Sequence, residues 1–401
     1  MQTQIPTLRE VGLYFFRLGW TGFGGSLAVV AQMEKDLAGR WLPASEFGEV
    51  FGAIKTLPGP LAFQMATYLG YRRLFDKFEH RGLAALGGLV AAVGYIFPSM
   101  IFILILARTR GDWTNLHVVR IFLIGVQAAA LGLIASSVVP LSTAGRAPGE
   151  FQNAAKWLFA FFGFVVSLFR PEFEPFAILF CGVLALAPHR SRLLTPIVLP
   201  AAALIGVSLW SLHSDLFLIC LRAGALIFGS GLAIVPLLGG EFVDRLQWIT
   251  HTEFLEALSL SQLTPGPVLI TATYIGTKVG GIWGGLTATF GMFLIPFIHM
   301  TTWFPRAFHR LRPSQQWRRF SFGAVSAVIG AVVAGVIKLM EPVVLSALEI
   351  ESLRLDRTFV TFVVWTTLPI LAFYFVYKKK RPAWAVLLSG GVISSAVLYW
   401  F

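Results

Sequence analysis

The chain has 401 residues, of which 56% are hydrophobic and only 13% are charged, and its mean hydropathy is +0.74. Soluble proteins carry about 25% charged residues, so this composition excludes a soluble globular protein. The net charge of +12 comes from lysines and arginines in short stretches between apolar runs. Such a pattern is typical of cytoplasmic loops in membrane proteins and predicts no nucleic-acid partner. The apolar runs are continuous and do not alternate, which predicts an all-α polytopic membrane protein in a lipid bilayer rather than a β-barrel.

Hydrophobicity along the chain predicts about thirteen apolar segments, and several of them are short or interrupted by glycine and proline. They lie at 11–35, 46–71, 82–107, 118–142, 155–169, 175–188, 194–212, 216–243, 253–277, 281–304, 320–340, 359–377 and 382–401. The pair of segments around Arg170-Pro171-Glu172 and the last pair of segments are predicted to be corresponding re-entrant hairpins.

One stretch of the sequence occurs twice, over residues 17–98 and again over residues 222–296. Each copy begins with an arginine in apolar sequence, continues through a cluster of glycines and reaches a Pro-Gly-Pro tripeptide. Pro58 and Pro265, which open these tripeptides, hold corresponding positions (265 − 58 = 207). Self-similarity of this kind predicts two structural repeats. We therefore expect three parts, which are an N-terminal repeat over 1–193, a linking segment over 194–215 and a C-terminal repeat over 216–401.

Loop charges predict the orientation of the chain, because cytoplasmic loops are enriched in lysine and arginine. Cationic stretches at 72–81, 306–319 and 378–381 are placed in the cytoplasm together with the N-terminus, and the acidic stretch at 341–358 is placed outside. Seven segments separate the starts of the two copies, an odd number, so the copies are predicted to be inverted. Inverted repeats with broken helices are a signature of secondary transporters.

Two kinds of broken segment in each copy are candidates for binding an anion. A glycine cluster before a new helix exposes backbone N–H groups at a positive dipole end, and Pro-Gly-Pro interrupts a helix next to polar side chains. Close helix packing is the alternative for the glycines, and a purely structural kink is the alternative for the prolines. The candidates in the first copy are Gly22, Gly24, Gly25, Ser26, Pro58, Gly59, Pro60 and Gln64. The candidates in the second copy are Gly229, Ser230, Gly231, Gln262, Thr264, Pro265, Gly266 and Pro267.

Charged residues inside apolar sequence supply the remaining candidates. Arg17, Arg222 and Lys55 are candidate binding charges for an anion, with snorkelling to the interface as the alternative for the arginines. Glu34 and Glu241 correspond between the copies and are candidates for coupling, or else solvated residues at helix ends. The histidines show no ligand spacing, so neither a metal nor a cofactor is predicted. No ATP-binding loop and no nucleophile–base constellation is visible, which argues against an ATPase and against an enzyme.

At these residues the sequence resembles the long, two-repeat form of the chromate ion transporter family. The resemblance rests on the Phe-Arg-Leu-Gly-Trp-Thr-Gly-Phe-Gly-Gly run that begins at Phe16, on Pro-Gly-Pro at 58–60, and on their equivalents at 222–231 and 264–268. It covers nearly the whole chain. It implies an inner-membrane carrier that exports chromate and confers chromate resistance. Sulfate, another tetrahedral dianion, is then the expected competitor or counter-substrate.

The mechanism expected from these features is alternating access, with the oxyanion between the broken segments and with a proton or counter-anion gradient as the energy source. A carrier for sulfate or another small anion is the nearest alternative. An anion channel would use the same helix breaks without alternation, and a membrane enzyme is the remaining class. Faces rich in small residues permit a homodimer.

Overall fold

The computed structural model describes most of the chain, and helices are its regular elements. The described residues are 6–23, 25–55, 57–113, 116–144, 154–186, 215–227, 231–311, 315–349 and 355–400. No β-strand occurs in these ranges, so the prediction of an all-α membrane protein is confirmed. The apolar segment predicted at 194–212, and the site candidates Gly24, Gly229 and Ser230, lie outside the described residues.

Nine helices of the first half lie within the described residues. They are α1 Leu8–Thr21, α2 Ser26–Leu37, α3 Ala44–Ile54, α4 Leu61–Phe78, α5 Arg81–Arg108, α6 Arg110–Trp113, α7 His117–Ala144, α8 Ala154–Phe169 and α9 Glu174–Leu184. The described helices of the second half are α10 Leu216–Leu226, α11 Ile234–Gly239, α12 His251–Leu263, α13 Thr271–Thr301, α14 Phe304–Leu311, α15 Gln315–Glu349, α16 Leu355–Tyr377 and α17 Ala383–Trp400. A π-helical turn over Gly240–Arg245 extends α11.

Two of the predicted helix breaks in the first copy are present in the structure. The apolar segment at 11–35 forms α1 and α2, and the segment at 46–71 forms α3 and α4. Pro58 and Pro60 lie in the second break, because proline lacks the N–H group that a continuing helix needs. Two predicted loops are shorter than expected. The cationic stretch at 72–81 lies mostly on the last turns of α4, and α15 continues to Glu349.

The prediction of membrane-spanning segments is also confirmed. In the part of the chain that the structure describes, four segments are long and apolar enough to cross a membrane, namely Arg81–Arg108, Val118–Ser142, Val268–Thr301 and Gln315–Met340. The third is not one straight helix. Gly280 and Gly281 leave helical backbone geometry, and Gly276 packs against the carbonyl of Gly284, so α13 folds back as a two-armed hairpin. The helices α4 and α5 form the corresponding hairpin in the first half, where Gly70 packs against the carbonyl of Gly87.

The two halves exchange their peripheral helices around α7 and α15. The helices α8 and α9 pack on α15 of the second half, whereas α16 and α17 pack on α7 of the first half. Matched glycines make this possible. A Cβ on Gly132 of α7 would collide with the carbonyl of Pro369, and a Cβ on Gly330 of α15 would collide with the carbonyl of Ala160. Because α7 and α15 also contact each other, they form a central pair to which each half contributes one helix.

Candidate functional site

The two Pro-Gly-Pro loops cross the boundary between the halves, and each is hydrogen-bonded to the opposite copy. The N–H of Gly59 donates to the carbonyl of Ile227 at 2.5 Å, and the N–H of Gly266 donates to the carbonyl of Gly22 at 3.0 Å. Gly22 and Ile227 are the C-caps of α1 and α10. They correspond in the repeat, with the same spacing as Arg17 and Arg222 (227 − 22 = 205). The contact is therefore reciprocal, as a twofold relation between the copies requires.

Glycine is needed at the centre of both loops. Gly59 has φ 124° and Gly266 has φ 107°, in the region that side-chain-bearing residues rarely adopt. A Cβ on Gly266 would lie 2.7 Å from Oγ of Ser99, and a Cβ on Gly59 would collide with the side chain of Gln64. Both glycines are buried, while the preceding prolines are half-buried. The two Pro-Gly-Pro loops, called the crossing loops below, are therefore tightly packed at their central glycines and leave little room for a side chain there.

Buried polar side chains lie on the helices that flank the loops. Gln64 donates from Nε2 to the carbonyl of Pro58 at 2.6 Å, and its Oε1 is buried without a hydrogen-bond partner. Nε2 of Gln262 and Oγ of Ser259 are also buried without partners. The hydroxyl of Thr264 is satisfied by the carbonyls of the last turn of α12. Orphaned buried polar atoms are costly, so their presence here indicates groups that can bind a polar ligand or water.

The predicted cations occupy different environments in the two halves. Arg17 and Lys55 are exposed. Arg222, in contrast, has a side chain only 13% exposed and forms an ion pair with Glu241. Arg245 binds the same carboxylate at 2.6 Å, one turn along the π-helical segment. In the second half, the candidate binding residue Arg222 and the candidate coupling residue Glu241 therefore contact each other. In the first half, Glu34 is exposed on α2.

The described glycines of the two clusters lie at the ends of helical elements. Gly22 caps α1, and Gly25, with φ 85°, precedes Ser26 at the start of α2. No side chain caps the N-terminus of α2. The first N–H groups of a helix lack partners within it, so the start of α2 carries free donors and a positive dipole end. In the second half, Gly231 begins a short 3-10 turn that leads into α11.

Comparison with known proteins decides the family. The sequence profile of the family described as "Chromate transporter" matches residues 9–186 and again residues 214–395. The chain belongs to the chromate transporter family. The double match agrees with the two copies of the repeat.

Three curated relatives extend this family assignment along the chain. The sequence is 31% identical to the chromate transport protein of Cupriavidus metallidurans over 83% of this chain and 82% of that protein. It is 30% identical to the probable chromate transport protein of Synechococcus elongatus over 83% of this chain and 84% of that protein. It is 26% identical to the chromate transport protein of Pseudomonas aeruginosa over 94% of this chain and 89% of that protein. No solved structure matches the chain.

This chromate transporter family member also contains a buried charged cluster that the sequence did not point to. Arg110 donates to both carboxylate oxygens of Glu256 at 2.8 to 3.0 Å, and the hydroxyl of Tyr274 donates to the same carboxylate. Glu256 is 3% exposed. The cluster joins the start of α6 in the first half to α12 and α13 in the second half. A glutamate seven residues before the end of an apolar helix was the only sequence signal that could have indicated it.

Proposed function

We propose that this protein is a secondary transporter that exports chromate across the inner membrane by alternating access, is driven by an ion gradient, and thereby confers chromate resistance. One observation carries the proposal. In a member of the chromate transporter family, each Pro-Gly-Pro loop is hydrogen-bonded to the first helix of the opposite copy. Secondary transporters bind their substrates where broken helices meet between repeats, and rocking of one repeat against the other exposes that place to either side.

In this proposal, backbone N–H groups and side-chain amides bind the oxyanion beside the crossing loops. The start of α2, after Gly25, and the start of α4, after Pro60, supply N–H groups without helical partners. Gln262 lies on α12 next to its loop and has a buried Nε2 donor without a partner. Gln64 lies on α4 and donates its Nε2 to the carbonyl of Pro58, so it binds the oxyanion by exchanging that hydrogen bond. Neutral donors of this kind hold a dianion without the strong attraction that would prevent its release.

Arg222 contributes the positive charge of the proposed site. Arginine is suited to tetrahedral oxyanions because its guanidinium presents parallel N–H donors. Its present partner is Glu241, so chromate competes with this carboxylate for the guanidinium. The exposed Arg17 and Lys55 serve as entry charges in the first half. Glu34 and Glu241 remain candidates for coupling to the ion gradient.

Counterflow in proteoliposomes tests the proposal. Vesicles are loaded with unlabelled chromate, and uptake of labelled chromate is followed in wild type, in Gly59→Ala and in Gly266→Ala. Misplacing the crossing loops should lower counterflow by about tenfold or more, because small displacements at a binding site have large effects. Gly52→Ala is the matched control, since Gly52 is an exposed helical glycine with open space around its Cβ position. Unchanged chromate flux in the folded variants Arg17→Ala, Arg222→Ala and Gly24→Leu would contradict the proposal.

The same vesicles separate the alternatives. External sulfate that blocks chromate counterflow indicates overlapping oxyanion specificity, whereas sulfate without effect indicates a chromate-selective site. Stimulation of uptake by internal chromate is a property of carriers, because an open channel has no need of a counter-substrate. Sulfate counterflow without any chromate counterflow would replace chromate by sulfate as the substrate.

A further inference from the structure

A small cavity between helices of the two halves contains none of the Pro-Gly-Pro residues. It lies between α8, α9, α11, α12 and α15 and the π-helical turn. Its polar lining consists of Ser167, Glu174, Asp244, His251 and Lys338. Its volume of about 20 Å³ is enough for one water molecule.

Glu174 is the buried end of this cavity. The residue is 1% exposed, and one carboxyl oxygen, Oε2, accepts a hydrogen bond from Oγ of Ser167 at 2.9 Å. The other oxygen, Oε1, is buried and has no hydrogen-bond partner. Among the described residues, no cation forms an ion pair with Glu174. The nearest cation in the lining, Lys338, instead contacts Asp244 at 2.6 Å.

An ionised carboxylate in this position is expensive, because burial removes its hydration and no partner replaces it. Binding a proton removes the charge. The protonated carboxyl also gains an O–H donor, which a water molecule in the cavity can accept. Glu174 can therefore exist as an ionised carboxylate or as a neutral carboxyl, and the two forms differ by one proton.

The cavity connects Glu174 to side chains that are partly exposed at the protein surface. The side chains of Asp244 and Lys338 are 19% and 22% exposed, and that of His251 is 38% exposed and lies 3.6 Å from Asp244. Lys338 lies just before the stretch that loop charges place outside the cell. Further charges that act on Glu174 are Glu241 of the π-helical turn and Arg222 of α10.

We propose that Glu174 binds and releases one proton in each transport cycle through this cavity. The inference rests on the proposed transport function and names its coupling ion. On binding, a hydronium ion gives its proton to the carboxylate and leaves as water. On release, a water molecule in the cavity takes the proton and carries it past Asp244 and His251.

Proteoliposomes distinguish exchange from proton-driven transport. Chromate counterflow needs no net proton movement, whereas uptake into vesicles with an acidic interior measures proton antiport. Glu174→Gln, which keeps the shape but cannot ionise, should retain counterflow within about twofold of wild type and lose all acceleration by the pH gradient. Glu79→Gln, at an exposed glutamate, is the matched control and should behave as wild type. Acceleration that survives in Glu174→Gln overturns the inference, as does a wild-type carrier with counterflow but no response to either gradient polarity.

Two further measurements keep the inference separate from the proposed function. Infrared difference spectra between acid and alkaline pH should contain a protonated-carboxyl band that disappears in Glu174→Gln, and a band that persists there overturns the inference. If the band is present but wild type shows no counterflow, the proton site stands and the transport proposal fails.

Ser167→Ala retains the carboxyl, and loss of the hydroxyl donor disfavours the ionised form. The pH profile of driven uptake should therefore move by about one unit to higher pH. An unmoved profile contradicts the role of Glu174. If an acidic exterior accelerates chromate uptake and the acceleration depends on Glu174, the proton site is supported. Chromate and the proton then move in the same direction instead of opposite directions.

Discussion

In the first half of the molecule, Arg17 and Glu34 are exposed on α1 and α2, whereas their counterparts Arg222 and Glu241 form a buried ion pair in the second half. Arg245 strengthens the second-half cluster, and alanine occupies the corresponding position in the first half, at Ala38 (245 − 38 = 207). The backbone contacts between the halves are nevertheless reciprocal. The duplicated scaffold has therefore been kept while its charges have diverged, and the chemistry of the two sides differs.

The cavity at Glu174 shows the same divergence. The residues that correspond to its charged lining in the opposite copies do not have the same ionisable groups. Arg381 takes the place of Glu174 (381 − 174 = 207), Leu37 takes the place of Asp244 (244 − 37 = 207), and Pro140 takes the place of Lys338 (338 − 140 = 198). A proton site of this kind can therefore exist on only one side of the twofold relation. An asymmetric charge distribution on a symmetric scaffold gives the two faces of a carrier different affinities for ions.

The largest expected difference in unfolding free energy between the halves is at the two corresponding glutamates, Glu34 and Glu241. Glu241→Ala leaves Arg222 and Arg245 without their shared counter-charge and should lower the free energy of unfolding by about 3 kcal/mol. Glu34→Ala, at the exposed counterpart, should change it by less than about 0.5 kcal/mol. Unfolding of both variants in mixed detergent micelles measures the difference. Equal losses would contradict the asymmetry described above.

The exchanged helix contacts should respond alike in both halves. Gly132→Ala and Gly330→Ala each drive a Cβ into a backbone carbonyl of the neighbouring helix and should each lower the unfolding free energy by about 2–3 kcal/mol. Gly52→Ala is the control and should be neutral or stabilising by up to about 1 kcal/mol. Thermal unfolding in detergent checks all three. A large effect in only one of the two central helices would show that the scaffold itself is unequal.

The crossing loops should differ slightly from each other. Gly59→Ala and Gly266→Ala both place a side chain at positive φ, which costs about 1–2 kcal/mol. Gly266→Ala should cost more, because Ser99 is short and held on α5, whereas the flexible side chain of Gln64 can move away from residue 59. Unfolding midpoints of the two variants rank them. The reverse order would mean that Gln64 is held more rigidly than Ser99.

The smallest effects are expected at a matched pair of half-exposed ion pairs. Arg72 contacts Glu46 at 3.3 Å, and Lys278 contacts Glu253 at 3.0 Å, at corresponding positions of the two copies. Removing either cation should cost less than about 1 kcal/mol, as is usual for accessible ion pairs. Double-mutant cycles with Glu46→Ala and Glu253→Ala measure each coupling free energy. Values that differ by more than the measurement error would extend the divergence of the halves to their surfaces.

The helix breaks and the repeat could be predicted from the sequence because their causes are local. Pro58 and Pro60 cannot continue a helix, and the match between Pro58 and Pro265 requires only a comparison of the chain with itself. The pairing of Arg222 with Glu241 could not be predicted, because it depends on how α10 and the π-helical turn approach each other. The division into an N-terminal repeat, a linking segment and a C-terminal repeat remains a prediction.

Glu174 is the clearest case of a candidate site residue that could not be predicted from the sequence. It lies between two apolar segments, beside prolines, and has the sequence environment of a residue in an exposed turn. Lys338 and Asp244 are distant from it in sequence, and they line the same cavity because α9 packs on α15 of the other half. Lys338, inside an apolar span, was the detectable signal, since a charge in such a segment usually has a function.

The exchange of peripheral helices has a consequence for the order of synthesis. A ribosome makes α8 and α9 long before it makes α15, the helix on which they pack, so these two helices enter the bilayer before their partner exists. The first half also holds α7 without its neighbours until α16 and α17 are translated. Neither half can complete its interior from its own helices, and two separately expressed half-chains would each contain helices that the other needs. Assembly of this protein is therefore a late event, set by the arrival of the C-terminal helices.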